Sequence, residues 1–168
     1  SRIALLDHVK KMNLNESNGV VLSPDIGSAP MSQSYAKKLG IGFALIDKRR
    51  TGHNKAEVAN LIGDLDGKHA IIIDDMIDTA GTICNAANTA IEKGAKSVIA
   101  MATHPVLSGP AVERLSNSKL SKVIVCDTIE LSNQKIFDKL EVISVKDVFS
   151  NAIRHIVDGT SLSSMFKI

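Results

Sequence analysis

Residues 70 to 82 read AIIIDDMIDTAGT, an apolar run broken by paired carboxylates and then by a short loop of small and hydroxylated residues. Small residues let a backbone wrap closely around a ligand. Gly81 is expected to supply a positive φ, and Thr79 and Thr82 place hydroxyls beside the unpaired N–H groups of a helix start. Such a loop is a cradle for phosphate. Asp74 and Asp75 beside it can accept hydrogen bonds from sugar hydroxyls or hold a hydrated magnesium ion, so loop and acids together point to a sugar phosphate. Helix capping alone would need only Asp78 or Thr79.

The elements that position these residues are legible around them. Apolar runs recur at 19–22 (GVVL), 43–46 (FALI), 70–73 (AIII), 97–103 (SVIAMAT) and 122–126 (KVIVC), as expected of strands buried on both faces. Between the third and fourth, Ile83, Ala86, Ala87, Ala90 and Ile91 recur with helical spacing, and Gly94 follows as a C-cap. Further helices are expected at 1–12, 29–39, 108–115 and 145–157. Alternating strands and helices predict an α/β fold, a mostly parallel sheet with helices on both faces joined by right-handed crossovers. In such sheets ligands bind beyond the carboxyl ends of the strands, where the quoted stretch falls.

Composition bounds the function. The chain has 168 residues, with 44% apolar and 23% charged, which fits one globular domain. Twenty basic and 18 acidic residues leave a formal charge of +2, too balanced for a nucleic-acid surface. No run is long enough for a membrane span and the first residues lack a signal-peptide core, so a cytoplasmic protein without membrane contact is expected. Cys84 and Cys126 have no metal or redox spacing and are expected to be core thiols. His8, His53, His69 and His155 have no partner spacing; His104, after a strand, is the one expected to face a ligand.

The 70–82 stretch resembles the phosphoribosyl-binding motif of the type I phosphoribosyltransferase fold. With VVLSPD at 20–25, ALIDKRR at 44–50, THPVLSGPAVER at 103–114 and SLSSMF at 161–166, residues 17 to 166 resemble the C-terminal half of the ribose-phosphate pyrophosphokinase family. The resemblance implies transfer of a diphosphoryl group from ATP to ribose 5-phosphate, making phosphoribosyl pyrophosphate (PRPP) with magnesium. Carried over by position, Asp78, Thr79, Ala80, Gly81 and Thr82 would hold the 5-phosphate, and Asp74 and Asp75 the ribose hydroxyls. Asp25, Gly27 and Ser28 would form the diphosphate loop, with Asp25 also toward magnesium. Lys48 and Arg50 match the charged residues of the family's mobile catalytic loop, and Ser161 and Ser163 match a regulatory phosphate or ADP site between subunits.

The segment after Asp25 departs from the family's Asp-x-Gly-Gly pattern, with Ser28 for the second glycine and Met31 near the expected basic position. The family's N-terminal half, which supplies much of the ATP site, is absent, and the chain begins at Ser rather than Met. Residues 1–16 are therefore expected to be the helix that joins the halves, with 17–168 the ribose-5-phosphate domain of an incomplete enzyme whose full-length form is a homo-oligomer. Two other readings stay open: a non-catalytic regulatory or sensor subunit of the same fold, and a phosphoribosyltransferase acting on a base.

Overall fold

The computed structural model describes residues 2–49 and 58–166. In chain order the elements are α1 (Arg2–Lys10), β1 (Gly19–Ser23), α2 (Ala29–Leu39), β2 (Gly42–Arg49), β3 (Val58–Ile62), β4 (His69–Ile77), α3 (Gly81–Glu92), β5 (Ser97–Pro105), α4 (Ala111–Asn117), β6 (Lys122–Cys126), β7 (Leu140–Ile143), α5 (Lys146–Val157) and α6 (Ser163–Phe166). The strands form one sheet of seven in the order β3-β2-β1-β4-β5-β6-β7. Every pairing is parallel except β2 with β3, which is antiparallel. The expected mostly parallel, helix-flanked sheet is therefore present, with two edge strands added.

The five expected apolar runs form strands because alternate side chains feed two cores, so neither face tolerates a polar residue. Val20, Leu22, Ala44, Ile46, Ala70, Ile72, Val98, Ala100, Val123 and Val125 point to one face, where α3 covers them with Ile83, Ala86, Ala87 and Ala90 and α4 with Ala111 and Leu115. On the other face Val21, Ile71, Ile73, Met101, Ile124 and Cys126 meet Leu5, Leu6 and Val9 of α1 and Tyr35 and Ala36 of α2. The N-terminal helix thus packs against the sheet of this domain. Cys84 and Cys126 are buried free thiols, one in each core.

Small side chains on α3 let it lie close to the sheet, and its end is fixed by a Schellman arrangement. Ala95 N–H donates to Ala90 C=O at 3.0 Å and Gly94 N–H to Ile91 C=O at 3.1 Å, with Gly94 at φ +91°. The cap residue itself is Lys93, one place before the glycine that the sequence nominated. No helix among the described residues is long and apolar enough to cross a membrane.

Candidate functional site

Strands β1 and β4 are neighbours, yet the helices that follow them, α2 and α3, cover opposite faces of the sheet. The chain therefore parts at the carboxyl ends of β1 and β4 and leaves a crevice, the position at which open α/β sheets bind ligands. The turn carrying Asp25, Gly27 and Ser28 follows β1, and Asp74 to Thr82 follow along β4 into α3. The structure brings these two segments together at that edge.

Strand β4 runs further than the apolar run alone indicates. It continues through Asp74 and Asp75 to Ile77, held by β5 at Asp74 opposite Ala102 and Met76 opposite His104. Asp74 is half-buried and Asp75 exposed, and the Asp75 N–H donates to Asp74 Oδ1 at 2.9 Å. Burial pushes the Asp74 carboxyl up to about 6; the Asp75 amide works against this, while the Asp75 side chain and the charges of Asp75 and Asp25 add to it.

At the loop itself one expectation is corrected. Gly81 does not carry the positive φ, because it is already the first residue of α3; the left-handed position is Ala80, at φ 62°. The turn into the helix falls one residue earlier than the glycine, and Ala80, buried against the α3 core, occupies it at a conformational cost of about 1–2 kcal/mol. A Cβ at Gly81 would make only an ordinary contact, 3.6 Å from Arg114 Nη1. α3 has no side-chain cap, so the N–H groups of Gly81, Thr82 and Ile83 are free as in any helix start, and among the described residues those of Asp78, Thr79 and Ala80 have no acceptor either. This succession of unpaired donors, at the positive end of a helix dipole and flanked by the Thr79 and Thr82 hydroxyls, has the donor arrangement of an anion cradle. The Asp78 carboxylate is not free for a ligand on both oxygens: it accepts from the Ser108 hydroxyl.

The turn after β1 is closed on itself. Asp25 Oδ1 accepts from Ser28 N–H at 2.9 Å and from Ser28 Oγ at 3.0 Å, and Ser23 Oγ donates to Asp25 C=O at 2.8 Å while lying 2.9 Å from Ser28 Oγ. The hydroxyl that replaces the family's glycine thus ties down the acidic residue. Gly27 is exposed within the same turn. Among the described residues no three His, Cys, Asp or Glu side chains converge as metal ligands, so Asp25, Asp74 and Asp75 do not build a closed protein site.

Lys48 lies near the end of β2, three residues beyond Leu45, the partner of Ser23, so the strand carries it past the carboxyl edge of β1. Arg50 lies outside the described residues. His104 is exposed, and its Nδ1 is 2.9 Å from Thr128 Oγ1. Thr128 Oγ1 spends its proton on Thr103 C=O at 2.8 Å, so neutral His104 carries its hydrogen on Nδ1 and leaves Nε2 as an acceptor. Ser161 and Ser163 stand at the start of α6, where Ser163 N–H donates to Ser161 Oγ at 3.1 Å. Arg114 and Ser108, which touch the cradle, lie within THPVLSGPAVER, where the sequence reading assigns them no role; their signal is a polar side chain in the segment that follows the neighbouring strand.

A mostly parallel sheet with a row of unpaired amides and paired carboxylates at its switch point defines the α/β class with a candidate anion site at the carboxyl edge. The sequence profile of the phosphoribosyl synthetase-associated domain matches residues 53–167, and the chain belongs to that family. The ribose-phosphate pyrophosphokinase of Aquifex aeolicus is 51% identical over 162 residues, covering 96% of this chain and 51% of that protein. That of Chlorobaculum tepidum is 46% identical over 166 residues, covering 99% and 51%. The crystal structure of phosphoribosylpyrophosphate synthetase from Mycobacterium smegmatis matches with a TM-score of 0.82 at 38% identity, covering 92% of this chain and 50% of that one. The chain spans about half the length of the curated relatives it matches.

Proposed function

We propose that this chain is the ribose-5-phosphate-binding half of a ribose-phosphate diphosphokinase. In the complete enzyme the 1-hydroxyl of ribose 5-phosphate attacks the β-phosphorus of ATP, the bond from that phosphorus to the α-phosphate oxygen breaks, AMP leaves, and the hydroxyl proton is lost. The observation that carries the reading is the row of unpaired N–H donors from Asp78 to Ile83 beside Asp74 and Asp75. The donors suit the 5-phosphate, and the carboxylates suit the ribose hydroxyls. Lys48 and Arg50 are assigned to the charge that develops on the migrating diphosphoryl group. Magnesium fits this site only as an ion that arrives on substrate phosphates and takes one or two carboxylates here, since a protein cage is not built. Adenine contacts are assigned to the other half of the family's length, the full-length protein to a homo-oligomer, and Ser161 and Ser163 to a regulatory anion site.

One observation favours the sensor reading. Ser28 engages Oδ1 of Asp25 with both its N–H and its hydroxyl, which leaves the turn after β1 poorer in groups for a diphosphate. Calorimetric titration of the 168-residue chain separates the readings. Ribose 5-phosphate is expected to bind and ribose not; absence of ribose 5-phosphate binding would overturn the site assignment. Binding of pyrophosphate with magnesium favours the catalytic half, and its failure favours the sensor.

A further inference from the structure

The segment THPVLSGPAVER has no ligand contact in the reading above, yet it bonds to the phosphate cradle at three successive carbonyls. Leu107 N–H donates to Ile77 C=O at 2.9 Å, Ser108 N–H to Asp78 C=O at 3.2 Å, and Arg114 Nη1 to Thr79 C=O at 2.9 Å. In a planar trans peptide the carbonyl of one residue and the N–H of the next point in opposite directions. Drawing the three carbonyls toward this segment therefore turns the amides of Asp78, Thr79 and Ala80 the other way, as a group.

The first two bonds come from main chain and survive any substitution that keeps the backbone. The third comes from a side chain on α4, 35 positions along the sequence, so the last peptide plane depends on one residue. That plane precedes Ala80, whose left-handed φ of 62° needs support from outside because an alanine gains nothing by adopting it. Among the described residues Arg114 has no carboxylate partner, and its guanidinium lies against the Gly81 position.

We infer that Arg114 is a positioning residue: it fixes the 79–80 peptide plane and so holds the amides of the cradle convergent before a ligand arrives. The inference rests on the reading of that loop as a phosphate site. Arg114→Ala is expected to lower affinity for ribose 5-phosphate and for inorganic phosphate by the same factor, roughly tenfold, since a peptide plane of the phosphate cradle loosens rather than a sugar contact. Arg114→Lys, which keeps a donor for the Thr79 carbonyl, is expected to restore most of it. Because Arg114 is exposed, both variants should melt within about 2 °C of the parent. Amide hydrogen exchange at Cys84, whose N–H donates to Ala80 C=O at 3.0 Å, should quicken in the alanine variant and not in the lysine variant.

Unchanged affinity in Arg114→Ala would overturn the inference, as would a loss confined to ribose 5-phosphate, a lysine variant no better than alanine, or a melting temperature lowered by more than about 5 °C, which would make Arg114 a residue of the fold. If the parent chain binds neither ligand, the phosphate-site reading itself has failed, an outcome separate from the others, and the inference falls with it.

Discussion

At Asp74 two effects compete, because half-burial beside two other carboxylates disfavours the charge that its proposed role as a sugar-hydroxyl acceptor needs. With its carboxyl pushed up to about 6 from 3.8, the folded protein holds a proton there between those values that the unfolded chain has released. Asp74 therefore contributes stability that is present below pH 3.8 and lost as pH rises through about 6. Asp74→Asn, which keeps the shape without the charge, is expected to raise the melting temperature at pH 7.5 by about 2–5 °C and to change it little at pH 4. Differential scanning calorimetry at the two pH values checks this, and an equal shift at both would mean that the carboxylate is not strained. Ala80 shows the same local economy in the backbone. The residue that must turn left is not the glycine, so the loop is held by its surroundings rather than by its own preference.

Among the elements, the end of α3 is as firmly specified as its beginning is strained. Gly94 at φ +91° has no room for a side chain, since a Cβ would lie 2.6 Å from Asp66 Oδ1 and 3.3 Å from Asp66 Cα. Gly94→Ala is expected to cost about 1–3 kcal/mol, read from urea unfolding, without changing ligand affinity in the folded fraction. The five central strands were legible because burial on both faces writes itself as an unbroken apolar run. β3 and β7 were not, because they are edge strands: Asn60 and Ile62 of β3 are exposed, and β7 is only half covered, so neither needs such a run. The cradle was legible from DTAGT as composition, but which residue turns and which side chain holds the loop were not. Both depend on contacts from the loop after β5 and from α4, which no local pattern encodes.

Over the whole molecule the two cores close without α5. None of its residues is buried, and Phe149, Ile153, Ile156 and Val157 are 62%, 59%, 66% and 77% exposed. Replacing Phe149 and Ile153 together by serine is therefore expected to leave the melting temperature within about 2 °C of the parent, measured by calorimetry on the 168-residue chain. A drop of several degrees would mean that the stripe packs on the domain. Site and fold differ here in what they require. The fold rests on side chains that fill two layers, whereas the site rests on hydrogen bonds between β4's loop and the segment from Leu107 to Arg114.

Those bonds also set an order of events in time. Every residue of DTAGT has been joined to the chain by Thr82, but the side chains that hold it lie 30 to 35 positions later, Ser108 on the Asp78 carboxylate and Arg114 on the Thr79 carbonyl. At synthesis rates of about 5–20 residues per second the loop exists for seconds as an unoriented turn. The geometry of the loop is thus a late product of folding, completed only when α4 docks, and a nascent chain carries the complete motif well before that motif has its final shape.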